Sequence, residues 1–99
     1  MSAFTVLNPA TGGPVATVAG TSAEETDEAV ARAVAALPAW RAVAPGDRAR
    51  LLRRFAAAID ADLDHLARLE VRGAGHTISN ARWEAGNIRD VLNYYSAAP

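Results

Sequence analysis

Cysteine and lysine are both absent from this sequence of 99 residues, and each absence excludes a class of chemistry. Without cysteine, the chain has no disulfide, no thiolate nucleophile and no cysteine-ligated metal. Without lysine, it has no side chain for Schiff-base chemistry and no phosphate-binding lysine of the P-loop type. These two absences remove much of the catalytic repertoire.

The sequence also lacks an excess of either charge sign, because it has ten basic and eleven acidic side chains. A net charge of −1 gives no electrostatic footprint for nucleic acid or for an anionic membrane. No run approaches the roughly 18 apolar residues that cross a bilayer, and Met1–Leu7 has neither the basic nor the apolar region of a signal peptide. The expectation is one small globular segment in the cytoplasm.

Residues 1–20 predict a β-hairpin. The runs Phe4–Leu7 and Val15–Val18 favour strands. Between them, residues 8–14 read Asn-Pro-Ala-Thr-Gly-Gly-Pro, in which asparagine can fold back on its own backbone and glycine permits positive φ. An isolated hairpin is marginal in water, so this one is expected to lean on other elements.

Residues 21–99 predict three helices. Ser22 and Glu25 have the spacing of a capping box for the first helix, which carries an apolar stripe made of Val30, Val34 and Leu37. Pro38 is expected to end that helix, with Trp40 in a short connection.

The second predicted helix begins at Pro45, where a missing N–H costs nothing. It ends at Gly73-Ala74-Gly75, with a kink near Ala61. The third runs from about Thr77 to Tyr95. Gly86 inside it costs about 0.8–1 kcal/mol relative to alanine, which indicates a close packing partner.

Two motifs fail their functional templates. The acids of Asp60–Asp64 match the first half of a calcium loop, but His65 and Val71 stand where glycine and glutamate are needed. Gly73-x-Gly75 lacks the third glycine of a dinucleotide loop, since position 78 is Ile78. We therefore predict that Asp60–Asp64 lies on a solvated helix surface and that Gly73-x-Gly75 ends a helix.

The histidines and aromatics also favour structural roles. His65 and His76 share no ligand-like spacing, so His65 is interpreted as a surface residue and His76 as a capping or solvent-facing one. The aromatic side chains are interpreted as packing anchors, namely Trp40, Trp83, Tyr94 and Tyr95. No catalytic, cofactor-binding or metal-binding residue is predicted.

The order of the motifs resembles the N-terminal segment of the aldehyde dehydrogenase superfamily. The resemblance covers essentially the whole chain, and its elements are Asn8–Gly12 with the following strand, the helix ending in Pro38-Ala39-Trp40, the runs Arg48–Arg54 and Leu66–Glu70, and Ala81–Gly86 through Tyr94-Tyr95. It implies a mainly α segment with an N-terminal β-hairpin, forming part of an α/β Rossmann-like cofactor-binding domain.

The resemblance also implies what the chain leaves out. Members of the family oxidise aldehydes to acids with NAD or NADP, using a cysteine thiolate. Those groups lie beyond the matching segment, so no cofactor is expected to bind this segment alone. The implied partners are the remainder of an aldehyde dehydrogenase or a second copy, held through exposed apolar faces.

One departure from the family concerns the run after Glu70. Relatives often read Thr-x-Asp-x-Gly-Lys-Pro there, whereas this chain reads Val-Arg-Gly-Ala-Gly-His-Thr. In some relatives that aspartate helps to hold a monovalent cation together with main-chain carbonyls, which match Val6 and Leu7 here. Gly73 replaces the aspartate, so no cation site is predicted.

The sequence leaves three roles open. The first is the N-terminal structural part of an aldehyde dehydrogenase, as a truncation, a piece of a split enzyme or a remnant. The others are a stand-alone helical interaction module and a small regulatory subunit. Large exposed apolar patches would favour the first, and a self-contained cooperative fold would favour the others.

Overall fold

A computed structural model describes residues 2–98, which form a β-hairpin followed by four helices. The elements are β1 (Ala3–Leu7), β2 (Pro14–Ala19), α1 (Ala23–Ala42), α2 (Pro45–Ala61), α3 (Leu63–Ala74) and α4 (Ile78–Ser96). The predicted mainly α class with an N-terminal hairpin is confirmed. The outermost residues of the two predicted segments, Met1 and Pro99, lie outside the described residues.

The hairpin is antiparallel, with an irregular register between Val6 and Leu7. Its loop follows the expected chemistry, because the Asn8 side chain accepts a hydrogen bond from the Ala10 N–H at 2.9 Å. The Asn8 carbonyl accepts another from the Gly12 N–H at 2.7 Å. Gly12 adopts a φ of 72°, so glycine is needed at this turn.

Helix α1 begins as predicted but ends later. The Glu25 N–H donates to Ser22 Oγ at 3.1 Å, and the Ser22 N–H donates to the Glu25 carboxylate at 2.8 Å, which completes the capping box. The prediction that Pro38 ends the helix is wrong, because α1 continues through it to Ala42. A proline removes one N–H and only disfavours the α conformation before it. Trp40 therefore lies in the last helical turn.

The predicted three-helix region contains four helices. The backbone leaves helical geometry at Asp62, with φ −108° and ψ 13°, and divides the second predicted helix into α2 and α3 near the expected kink. Gly75 ends α3 in the left-handed conformation with φ 79°, as the predicted helix stop requires. Thr77 then caps α4.

Small residues form the core, where α4 packs against α2 and α3. The buried apolar residues are alanines, at positions Ala56, Ala67, Ala81 and Ala85. Gly86 is buried, but a Cβ built on it would make only ordinary van der Waals contacts, at 3.4 Å to Arg89 of the same helix and 3.9 Å to Leu63 of α3, so the expected unusually close partner is absent among the described residues. No large side chain among residues 2–98 is fully buried.

Ion pairs add to this packing at the junction of α2 and α3. Arg89 of α4 donates to Asp60 at 2.6 Å, and Arg82 of α4 donates to Asp64 at 3.0 Å. Two acids of the failed calcium motif, Asp60 and Asp64, therefore pair with arginines on a solvated surface, as their structural interpretation predicted. Within residues 2–98, no helix has the length and apolar character that crossing a bilayer requires.

Candidate functional site

Large apolar side chains lie on the surface of this chain. We call this set the open apolar surface, and its principal members are Phe4, Val30, Val34, Leu37, Trp40, Phe55, Trp83, Ile88, Tyr94 and Tyr95. Isolated exposed apolar residues are ordinary, but large continuous patches mark interaction sites. The open apolar surface is spread over the hairpin, α1, α2 and α4, and the number of large apolar side chains in it makes it the leading candidate for function.

The aromatic side chains interpreted as packing anchors are mostly exposed within residues 2–98, so their role as anchors stays a prediction. Trp83 is 69% exposed and Tyr94 is 72% exposed. Tyr94 and Tyr95 contact each other edge to face, with ring centroids 5.1 Å apart. The buried contacts between the helices are made by alanine and glycine. The aromatic rings remain at the surface.

The dimensions of the chain agree with an open arrangement. Its radius of gyration is 17.3 Å, against about 13 Å for a compact domain of this length. Its accessible surface is 7237 Å², against about 5,400 Å² for a folded monomer of its mass. The difference of about 1,800 Å² is on the scale of one partner's share of an obligate interface.

Helix α1 is the most exposed element. It has twenty residues, and none of them is buried. Its apolar stripe, Val30, Val34 and Leu37, is exposed along its length. Within residues 2–98, this helix is therefore stabilised mainly by its own backbone hydrogen bonds, its capping box and its many alanines.

Polar groups do converge at one place, the connection between α3 and α4. The Nδ1 atom of His76 lies 3.2 Å from a carboxylate oxygen of Glu84, and its Nε2 atom lies 3.6 Å from one of Glu70. One ligand atom from each of the three residues lies within 4.8 Å of the other two. This Glu70–His76–Glu84 cluster has the donor types that hold a metal ion.

Sequence reasoning missed this cluster. It interpreted His76 as a capping or solvent-facing residue, whereas Thr77 caps α4 and His76 lies between two glutamates. Its members are six and eight positions apart and come from a helix, a loop and a helix, so no helical spacing marks them. The sequence signal that could have indicated the cluster was the predicted helix stop at Gly75, because a stop there allows α4 to fold back along α3.

The remaining predicted residues are unremarkable. His65 is exposed on α3, as expected. Gly73 offers no side-chain ligand at the position of the family aspartate. The pKa of Asp64 is held below its ordinary value of 3.8, first by the hydrogen bond from Arg68 and then by the one from Arg82. The pKa of Arg89 is raised by its hydrogen bonds to Asp90 and Asp60.

Comparison with known proteins gives a consistent result along the whole chain. A model of the aldehyde dehydrogenase family matches residues 1–99. Among curated proteins, the glutarate-semialdehyde dehydrogenase of Pseudomonas putida is 34% identical over 91 residues, which are 92% of this chain and 19% of that protein.

Solved structures show the same fold. A crystal structure described as an aldehyde dehydrogenase from Burkholderia cenocepacia superposes with a TM-score of 0.92 at 31% identity, over 98% of this chain and 21% of its own. PnpE in complex with nicotinamide adenine dinucleotide gives a TM-score of 0.90 at 31% identity, over 96% of this chain and 20% of its own. The chain thus spans about one fifth of the length of these relatives.

Proposed function

This chain belongs to the aldehyde dehydrogenase family, and we propose that it forms the N-terminal structural portion of an enzyme that oxidises an aldehyde to a carboxylic acid with NAD or NADP. One observation supports the role most strongly. The large apolar side chains lie outside while alanines form the core, as expected for a segment that completes its packing against another part of the same enzyme.

The proposed role is architectural. The hairpin and the helices pack on the outside of the cofactor-binding domain, with the open apolar surface against the remainder of the enzyme. The stripe of α1 and the aromatics of α4 supply the apolar contacts. The excess of about 1,800 Å² over the accessible surface of a compact monomer of this mass is comparable to one partner's share of an obligate interface.

The reacting groups belong to the rest of the enzyme. In the family, a cysteine thiolate attacks the carbonyl and hydride passes to the nicotinamide, and this chain contains no cysteine. The complex of PnpE with nicotinamide adenine dinucleotide supports a nicotinamide cofactor for the whole enzyme. The cytoplasmic location stays a prediction of the sequence.

The alternative is a stand-alone interaction or regulatory module derived from the family. Such a module is expected to bury its own large side chains, because a small chain has little stability to spare. The exposure of the α1 stripe and of the aromatics disfavours it. Self-association through the open apolar surface remains the expected behaviour of the chain when it is purified alone.

The proposal is tested by reconstitution. The chain is co-expressed with the remaining portion of the Pseudomonas putida relative, and both binding and NAD-dependent aldehyde oxidation are measured. We expect the mixture to form a complex and to gain activity, and the chain alone to show none. Val34→Asp on the stripe should weaken the complex, whereas Ala35→Asp, on another face of α1, should leave it intact.

Two results would contradict the proposal. One is NAD(P)-dependent turnover by the chain alone. The other is a chain that melts cooperatively as a monomer and does not bind the remaining portion, since that behaviour describes a self-contained module.

A further inference from the structure

The Glu70–His76–Glu84 cluster contains the donors of a metal centre. Each residue presents one ligand atom, and these atoms lie within 4.8 Å of one another. We propose that the cluster binds a divalent transition-metal ion, with Zn²⁺ as the favoured ion. This inference is independent of the architectural role above, because it uses only the geometry of α3, α4 and their connection.

The fold places the three ligand residues side by side. Glu70 lies on α3 and Glu84 on α4, while His76 lies in the short connection between them. Gly75 fixes the start of that connection, since its N–H donates to the Val71 carbonyl at 3.1 Å. A Cβ on Gly75 would approach Pro9 of the hairpin loop to 3.1 Å, so this turn is closely packed. Ligands on rigid elements favour a defined site.

The donor set suits zinc. One imidazole nitrogen and two carboxylate oxygens bind Zn²⁺ at about 2.0–2.2 Å, and a fourth tetrahedral position remains for water. Tetrahedral geometry at those bond lengths places neighbouring ligand atoms about 3.3 Å apart. Glu84 faces Nδ1 of His76 and Glu70 faces Nε2, so one glutamate must turn toward the nitrogen that holds the ion, and its 46–47% exposed side chain is free to do so. Ca²⁺ and Mg²⁺ prefer more ligands, all of them oxygen.

The glutamates of the cluster differ from the nearby aspartates of α2 and α3 in their ion-pair partners. Asp60 and Asp64 each receive a hydrogen bond from an arginine of α4. Within residues 2–98, neither Glu70 nor Glu84 forms an ion pair with an arginine, and each is paired with His76. Two carboxylates against one imidazole leave a negative excess at the site. A divalent cation balances that excess.

The experiment titrates the full, untagged 99-residue chain with Zn²⁺ and measures binding by calorimetry. A parallel titration uses Co²⁺ in place of Zn²⁺, because bound Co²⁺ can be detected by its visible absorption. We expect saturation at one ion per chain. His76→Gln, Glu70→Gln and Glu84→Gln should each weaken binding at least about tenfold. His65→Gln, which alters the only other histidine, and Glu24→Gln on α1 should bind as the unchanged chain does. Circular dichroism of each variant shows whether its helix content is retained.

A second measurement applies if the helices of the isolated chain are partly unfolded. Zn²⁺ should then raise the helix signal of the unchanged chain and not that of His76→Gln, because the ion joins α3 to α4. Several results would overturn the proposal: no saturable binding by the unchanged chain, equal binding by the His76→Gln variant, equal loss in the His65→Gln variant, or binding of Ca²⁺ or Mg²⁺ as tight as that of Zn²⁺.

Discussion

Helices α1 and α4 have nearly the same length, twenty and nineteen residues, yet they are stabilised in different ways. Helix α1 has a complete capping box and no buried residue. Helix α4 has a single capping hydrogen bond of 3.4 Å from the Asn80 N–H to Thr77, and four of its residues are buried. Local signals specify α1, whereas tertiary packing specifies α4.

This contrast separates two meanings of an amphipathic pattern. The stripe of α1 is readable from the sequence as a helical face, and it is exposed. The buried face of α4 consists of small residues, Ala81, Ala85 and Gly86, which contact α2 and α3, whereas the larger apolar residues Ile88 and Val91 of α4 are exposed. An apolar stripe therefore indicates that a face will be covered and leaves open which partner covers it. The four predictions below test this difference, beginning with the largest expected effect.

The first prediction concerns the alanine core. Ala85→Leu inserts a larger side chain where α4 meets its neighbours and should lower the free energy of unfolding by about 1–3 kcal/mol. Ala33→Leu makes the same change on exposed α1 and should alter it by less than about 0.5 kcal/mol. Urea unfolding followed by circular dichroism measures both. Equal effects would mean that α1 is packed within the chain.

The second prediction concerns the two glycines with positive φ. Gly75→Ala and Gly12→Ala both place a side chain in the left-handed region, at a cost of about 1–2 kcal/mol. At Gly75 the new Cβ also meets Pro9, whereas at Gly12 it meets nothing within 4 Å. Gly75→Ala should therefore lower the melting temperature more. An equal shift would show that the hairpin loop does not rest on the end of α3.

The third prediction compares the two caps. Ser22→Ala should cost α1 about 1 kcal/mol of helix stability and fray that helix without moving the urea midpoint of the packed region. Thr77→Ala should move that midpoint, because α4 is at the centre of the packing. Residue-specific NMR chemical shifts distinguish local fraying from a shift of the main transition. A global shift in Ser22→Ala would contradict the separation of the two helices.

The fourth and smallest effect is a dependence on pH. The pKa of Asp64 is lower in the folded chain than its ordinary value of 3.8. Its contribution to stability is therefore full above about pH 4 and is lost as the pH falls through the lower folded value. Asp64→Asn should flatten the acid side of the stability curve, whereas Asp27→Asn on α1 should not. Identical curves would show that the arginine contacts to Asp64 do not persist in solution.

Features that depend on neighbouring residues were predictable from the sequence. The capping box of Ser22, the proline start of α2, the turn at Asn8 and the glycine stop at Gly75 each follow from the chemistry of one to four residues. The structure confirms all four. The family resemblance also held along the whole chain.

Features that depend on distant residues were not predictable in the same way. Pro38 is a local exception, because its steric effect only disfavours the α conformation of the preceding residue and does not forbid it. The exposure of Trp83 reflects a core built of alanine, which composition does not reveal. The Glu70–His76–Glu84 cluster requires α4 to fold back along α3, so its members come together only in three dimensions.

Hydrogen exchange of the isolated chain is the measurement that tests the central claim most directly. In a sample shown by sedimentation to be monomeric, the amides of α4 should be protected, and those of α1 should exchange with an opening free energy near zero. Addition of the remaining portion of a relative should then protect α1. If α1 in the monomer is protected as strongly as α4, the chain is a self-contained fold and its stripe needs no outside partner.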